Sequence, residues 1–287
     1  MTPVVALTIA GSDSGGGAGA QADLLTFAAH GVHGACALSA VTAQNTNGVQ
    51  GIVEIDPDFV AAQVRSVVSD LAVRAVKTGM LATGATVRCV TRLAADGVLP
   101  NLVVDPVLAA TSGQPLLARE GVAAYRELVA LATVVTPNLE EAAALTGRAP
   151  DDLGSIDAMA AAAAEIRSLG PTVVVVTGGH LAATPNGASR GSGVPGEVPD
   201  VVAGPHGVVV LRGARIDTLN DHGTGCTLSA AVAARLALGD DPLAAVRAAR
   251  RYVRTALAGA RGWRIGTGRG PLAHPRAPGR RVSAPSE

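Results

Sequence analysis

The segment Val4-Val5-Ala6-Leu7-Thr8-Ile9-Ala10-Gly11-Ser12-Asp13-Ser14-Gly15-Gly16-Gly17-Ala18-Gly19-Ala20-Gln21-Ala22-Asp23 reads as an apolar strand, a glycine turn and the start of a helix. That order places ligands at the carboxyl ends of the strands of a parallel sheet. The turn is not a Walker A loop, because no Gly-Lys-Ser/Thr follows at the required spacing. Its Gly15-x-Gly17-x-x-Ala20 run matches the dinucleotide fingerprint only weakly. The next predicted strand ends at Gln44-Asn45, where a dinucleotide site would want an acidic residue and none stands. A nicotinamide-dependent oxidoreductase is therefore disfavoured.

A second glycine turn lies at Asn220-Asp221-His222-Gly223-Thr224-Gly225-Cys226-Thr227-Leu228-Ser229-Ala230 and opens an Ala-rich run of helical composition. Gly223 and Gly225 let successive backbone N–H groups point one way. At a helix N-terminus those groups and the macrodipole favour a phosphate or a developing oxyanion. The same field is expected to lower the thiol pKa of Cys226.

Between the two turns, β-branched apolar runs alternate with Ala-rich helical runs. Strands are expected at 4–10, 35–43, 73–78, 101–105, 132–136, 172–177 and 207–211. Helices are expected at 18–30, 57–70, 84–96, 118–130, 138–146, 155–169, 225–238 and 242–260. Continuous apolar strands such as Val173-Val174-Val175-Val176 suit a mostly parallel sheet covered by helices on both faces, an α/β fold. Residues 1–272 are expected to form one domain, since no linker divides them. Residues 182–206, rich in Gly, Pro, Ser and Asn, read as a surface flap, and residues 273–287, rich in Pro and Arg, as a disordered tail.

With 23 basic and 23 acidic residues the net charge is zero, which argues against a nucleic-acid or membrane partner. The cysteines Cys36, Cys89 and Cys226 have no metal-ligand spacing and suit a reducing compartment. The first apolar run is about seven residues long, too short for a signal peptide or a membrane span, so a cytoplasmic protein is expected. Of the 23 basic residues only Lys77 is a lysine, and it ends a short apolar strand. Its compact charge is a reason to keep it there.

Other polar groups fall at strand ends. Asp105 follows Val103-Val104 and is held by Pro106; Thr136-Pro137-Asn138-Leu139-Glu140-Glu141 opens a helix with Asn138 and Glu141 on one face. An amide and a carboxylate so placed can organise the water shell of Mg²⁺, or simply form a capping box.

These motifs together resemble one known family. The Gly11-to-Gly19 turn, Thr42-Ala43-Gln44-Asn45-Thr46, Lys77-Thr78-Gly79-Met80-Leu81, Asp105-Pro106-Val107, Thr136 to Ala142, Gly178-Gly179-His180 and His222 to Thr227 look like hydroxymethylpyrimidine/phosphomethylpyrimidine kinase, in order, from about residue 4 to 272. The resemblance implies a ribokinase-like fold and a homodimer. It also implies Mg-ATP-dependent phosphorylation of 4-amino-5-hydroxymethyl-2-methylpyrimidine and then of its monophosphate, in thiamine biosynthesis. Pyridoxal kinase, which shares the superfamily, is the nearest alternative, and a pyrimidine binder without turnover is another. The segments at Gln44 and at Lys77 favour the pyrimidine.

Carried onto this chain, the resemblance has Gln44 hydrogen-bond the aminopyrimidine, with Gly11, Asp23, Met80 and Val107 lining the same pocket. Asp23 would hold the hydroxymethyl group and Met80 would pack on the ring. His222, Gly223, Thr224, Gly225 and Cys226 would surround the transferring phosphoryl group, with Cys226 where sugar kinases of the superfamily carry an aspartate base. Asp105, Asn138 and Glu141 would manage Mg²⁺ and the phosphates. One position departs from the pattern: ahead of Gly178 the family commonly has a lysine that reaches the nucleotide phosphates, and this chain has Thr177. Either weaker ATP binding or compensation from Lys77 or an arginine in the flap is expected.

Overall fold

Valine-rich strands alternate their side chains between two helical layers, and this alternation sets the architecture. The computed structural model describes residues 2–109, 120–179 and 196–274. Its elements run β1 (Val5–Asp13), α1 (Gly19–Ala29), β2 (His33–Asn45), β3 (Gly48–Glu54), α2 (Pro57–Asp70), β4 (Val73–Thr78), α3 (Gly84–Ala95), β5 (Val103–Val104) and α4 (Glu120–Ala130). They continue with β6 (Val134–Val135), α5 (Leu139–Thr146), α6 (Ile156–Ser168), β7 (Val173–Thr177), β8 (Asp200–Gly204), β9 (Gly207–Leu211), α7 (Thr224–Ala237) and α8 (Pro242–Gly259). Among the described residues nine strands form one sheet, ordered β3-β2-β1-β4-β5-β6-β7-β8-β9.

The centre of the sheet, from β2 through β7, is parallel. The edges are antiparallel, through β2–β3 on one side and β7–β8–β9 on the other. Leu7, Ile9, Val76, Val104, Val135 and Val174 face a core built with α2 to α6. Their neighbours Ala6, Ala75, Val103, Val134 and Val173 face the second core, built with α1, α7 and α8. The expected mostly parallel sheet with helices on both faces is thus present. Every expected strand and helix is found, with ends displaced by a few residues.

Two strands were not expected. β3 is an edge strand whose side chains are half-buried or exposed and whose run is broken by Gly51, so it carries no clear apolar alternation to read. β8 lies inside the stretch expected to be a flap, and its five residues pair with both β7 and β9. The flap reading is therefore wrong for 200–204, while residues 182–195 lie outside the described residues. Likewise, of the expected tail, Ala273 and His274 are anchored, through Ala273 N–H to Ala256 and His274 Nδ1 at 3.1 Å from Tyr252 Oη. The remainder, 275–287, lies outside the described residues. No helix among the described residues is long and apolar enough to cross a membrane.

Candidate active site

Most helix starts here are closed by side chains. Asp56, Thr83, Asn138, Ser155 and Asp241 each accept backbone N–H groups at the N-termini of α2, α3, α5, α6 and α8. The helices that follow the two glycine turns, α1 and α7, have no such cap. Their first turns are left to other partners.

The two turns find different ones. In the first, Asp13 closes the loop on itself: its carboxylate accepts from Gly15, Gly17 and Ala18 N–H at 2.8–3.0 Å. Burial opposes that charge, but His222 and these amides outweigh it and hold Asp13 below its ordinary range. This turn already contains its anion. The second turn does not: Gly223, Thr224, Gly225 and Cys226 line an open cleft of about 520 Å³, and Gly223, at φ 85°, supplies the left-handed bend. Side-chain atoms at Gly223 would collide with the Gly17 carbonyl, so the two turns interlock through glycine backbone.

Gln44, Gly11, Met80 and Val107 line the same cleft, as do Asp105, Asn138, Glu141 and Thr177. The structure thus brings together most of the residues singled out from the sequence. Met80 sulfur lies 3.3 Å from where a side-chain carbon at Gly11 would stand, so Gly11 keeps the thioether seated at the wall. Asn138 and Glu141 do form the capping box, with Glu141 N–H donating to Asn138 Oδ1 and Asn138 N–H to Glu141 Oε2, both at 2.9 Å. The cap and the cleft position coexist.

Four expectations need correction. Lys77 and Asp23 do not line the cleft. They are fully buried between the sheet and helices α1 and α7, where Lys77 Nζ donates to both Asp23 oxygens at 2.8 and 3.0 Å and Thr8 Oγ1 donates at 2.6 Å. Burial works against the ammonium, but the Asp23 and Asp105 carboxylates prevail and raise its pKa. Asp23 is therefore no direct ligand for a hydroxymethyl group, and Lys77 cannot compensate at the phosphates. Gly178 is also buried and does not line the cleft, its N–H donating to Asp200 Oδ1 at 3.0 Å.

The fourth correction concerns Cys226. Burial pushes its thiol up to about 12, and Asp105 and Asp23 add to the effect; Lys77 and the Gly19 N–H only partly offset it. The helix terminus was expected to do the reverse. It is outweighed because the sulfur faces two buried carboxylates as well as the positive end of α7.

Sequence reasoning missed other residues of the cleft. Asp13 was legible as an Asp two residues before a glycine, a side chain that bonds its own turn. Asp200, Arg250 and Arg254 also line the cleft, with Arg250 Nε 2.7 Å from Asp200 Oδ2. Gly213 leaves the room for both guanidinium groups, since a side-chain carbon there would stand 2.8 Å from Arg254 and 3.2 Å from Arg250. This pair comes from α8 and the unexpected β8, 50 residues apart, so no local pattern announces it.

Asp105 and Glu141 give the cleft its acidic centre. Burial raises Asp105 to about 6, although Lys77 and the Ser229 hydroxyl, 3.0 Å from Oδ2, pull the other way. Burial and then the charge of Asp105 push Glu141 well above its ordinary value. Nearby, the buried hydroxyl of Thr136 has no partner among the described residues. Two carboxylates that burial disfavours, beside an unsatisfied oxygen, suit a hard cation that keeps several waters and needs few protein oxygens, which is the behaviour of Mg²⁺.

Comparison with known proteins places this geometry. A family model described as phosphomethylpyrimidine kinase matches residues 13–273. The chain is 48% identical over 274 residues to a hydroxymethylpyrimidine/phosphomethylpyrimidine kinase of Rhizobium meliloti, covering 94% of this chain and 96% of the relative. Among solved structures, an ADP complex of Bacillus subtilis pyridoxal kinase superposes with a TM-score of 0.83 at 36% identity, covering 96% of this chain and 98% of that one. A phosphomethylpyrimidine kinase from Clostridium difficile 630 superposes with a TM-score of 0.72 at 35% identity, covering 88% and 99%. With its ribokinase-like fold and the match running through both glycine turns, the chain belongs to the phosphomethylpyrimidine kinase family.

Proposed function

We propose that residues 1–272 act as one kinase domain that uses ATP to phosphorylate 4-amino-5-hydroxymethyl-2-methylpyrimidine and then its monophosphate, in thiamine biosynthesis. The observation that carries this reading is the single cleft in which an uncapped, glycine-built helix start faces Gln44 and Met80 across the same space. Met80 packs on the ring, Gln44 pairs with its edge, and Gly11 and Val107 complete the wall. The turn from His222 to Cys226 receives the phosphoryl group on backbone N–H donors. The ring's hydroxymethyl oxygen forms the new O–P bond as the bond to the departing ADP breaks, and the hydroxyl proton leaves to solvent or product phosphate.

Asp105 and Glu141 are the residues that would hold Mg²⁺, which neutralises the nucleotide phosphates when bound. Thr177, Asp200 and Arg254 line the part of the cleft assigned to the nucleotide, where the guanidinium of Arg254 supplies charge that Thr177 lacks. The sparse free thiols suit the cytoplasm. Val41 and Val53, opposite each other on β2 and β3 and both exposed, support a homodimer through that face.

The test is ATP turnover with product masses resolved, offering the hydroxymethylpyrimidine, its monophosphate and pyridoxal separately. Monophosphate and diphosphate from the pyrimidine are expected. Turnover of pyridoxal alone would overturn the assignment in favour of the activity named for the Bacillus subtilis neighbour.

The raised thiol makes Cys226 a poor ground-state base, and its backbone N–H is the more useful group. Cys226→Ala keeps that N–H and is expected to cost less than about tenfold in turnover. Gly225→Pro fits a first helical turn but removes a donor, and a loss of about a hundredfold or more is expected. Steady-state kinetics on both variants check this, and the reverse order of losses would restore Cys226 as the base.

A further inference from the structure

His222 Nε2 lies 3.1 Å from Asp13 Oδ2 and 3.2 Å from Gln44 Nε2. On the other side of the Gln44 amide, Thr42 Oγ1 lies 3.2 Å from Oε1 and 2.8 Å from Ser12 O. The protons at these four contacts can be placed from chemistry alone. A carboxylate with three amides already on it only accepts, so the His222 ring proton sits on Nε2 and goes to Asp13. A carbonyl also only accepts, so the one proton of Thr42 goes to Ser12 O. The amide NH₂ of Gln44 then meets a donor, and its oxygen meets a hydroxyl whose proton is directed elsewhere. Exchanging oxygen and nitrogen by half a turn of the amide, which leaves its shape unchanged, repairs both contacts. Oε1 then shares the His222 Nε2–H proton, and Nε2 donates to Thr42 Oγ1.

We infer that the Asp13–His222 pair fixes the Gln44 amide with its oxygen toward His222 and its NH₂ toward Thr42, and so determines which edge of a heteroaromatic ring the cleft accepts. This rests on the reading that Gln44 faces the substrate ring. The fixed amide keeps one oxygen lone pair and one N–H for the cleft, an acceptor beside a donor. Its complement is an exocyclic amino group next to an unprotonated ring nitrogen. A ring carrying a carbonyl next to N–H, held in the same orientation with its hydroxymethyl group toward the phosphate turn, sets acceptor against acceptor and donor against donor. His222 is thus a positioning residue that acts through Gln44. Its backbone opens the phosphate-facing turn while Asp13 holds its ring in place, and Gly17 gives it room: a side-chain carbon at Gly17 would stand 2.6 Å from His222 Cδ2.

The experiment compares kcat and KM for the 4-amino substrate and its 4-oxo counterpart in the wild type, His222→Phe, His222→Gln and Gln44→Leu. His222→Phe removes the ring proton, and the amino-over-oxo preference is expected to fall about tenfold or more, chiefly through KM for the amino compound. His222→Gln, whose amide can still donate to Asp13 and Gln44, is expected to recover part of it. An unchanged preference in His222→Phe, with a reduced one in Gln44→Leu, overturns the inference and leaves the ring-facing role of Gln44 intact. An unchanged preference in both overturns that role and the inference with it. Should His222→Phe fail to fold, nitrogen NMR of the wild-type imidazole decides: a protonated Nε2 supports the inference, and a bare Nε2 overturns it.

Discussion

Lys77→Met is expected to destabilise the protein by about 3–5 kcal/mol, as a buried charge left without its partner does. Lys77 and Asp23 are both without solvent exposure, and after the change the Thr8 hydroxyl alone, among the described residues, remains to satisfy the carboxylate. The deficit carries a pH signature. Without the ammonium, burial raises Asp23 further, so the native state holds a proton that the unfolded chain releases above about 4. Stability of the variant therefore falls as pH rises from there, and the gap from wild type is wider at pH 8 than at pH 5. Denaturant titration at the two pH values measures it. Asp23→Leu added to Lys77→Met is expected to return most of the loss, because an apolar pair leaves no charge behind. A gap below about 1 kcal/mol at pH 8 would show that the pair is not the buried ion pair seen here. A second readout separates charge from packing: Lys77 lowers the pKa of Asp105, so in Lys77→Met the acid limb of the activity profile moves upward.

The lone lysine shows how far the sequence could be read. That it was kept for its charge was legible from an otherwise arginine-only basic set. That the charge is directed inward was not, because Asp23 is 54 residues away and their meeting depends on how α1 packs on the sheet. The parallel centre of the sheet was legible because strands such as β1, β5, β6 and β7 carry continuous apolar runs buried on both faces, with helical runs between them. β3 escaped because it is exposed, and β8 because five residues of strand inside a Gly- and Pro-rich stretch look like loop. Within the site, residues carried on continuous motifs, such as Gln44, Met80 and His222 to Cys226, were found in one cleft. What the motifs could not supply was depth. Asp23 and Gly178 lie on motif segments too yet do not line the cleft, and the thiol of Cys226 answers to buried carboxylates that its own segment does not contain.

Asp105→Asn is expected to abolish most activity while stabilising the fold. The carboxylate sits at the end of β5 in the cleft, where the Ser229 hydroxyl donates to it and Glu141 repels it. Its rise from 3.8 to about 6 means the native state resists ionising Asp105 more than the unfolded chain does. The contribution of Asp105 to wild-type stability therefore declines as pH rises from about 4 to 6 and stays lowered above that. A rise of this size corresponds to about 3 kcal/mol, of which Asn, still able to accept from Ser229, is expected to recover about 1–2 kcal/mol at pH 8 and little at pH 4. Activity follows the opposite course. The ionised form is the one that attracts a cation, so wild-type turnover falls as pH drops through about 6, and raising Mg²⁺ moves that limb to lower pH by competing with the proton. Asp105→Asn loses the limb together with about a hundredfold or more of kcat/KM. Melting curves at pH 4 and 8 and pH–rate profiles at two Mg²⁺ concentrations test both halves. A variant that is active, or one less stable than wild type at pH 8, would show that Asp105 is a structural strand-end carboxylate. If both halves hold, the fold keeps this buried charge at a cost in stability because the phosphates need the cation it attracts.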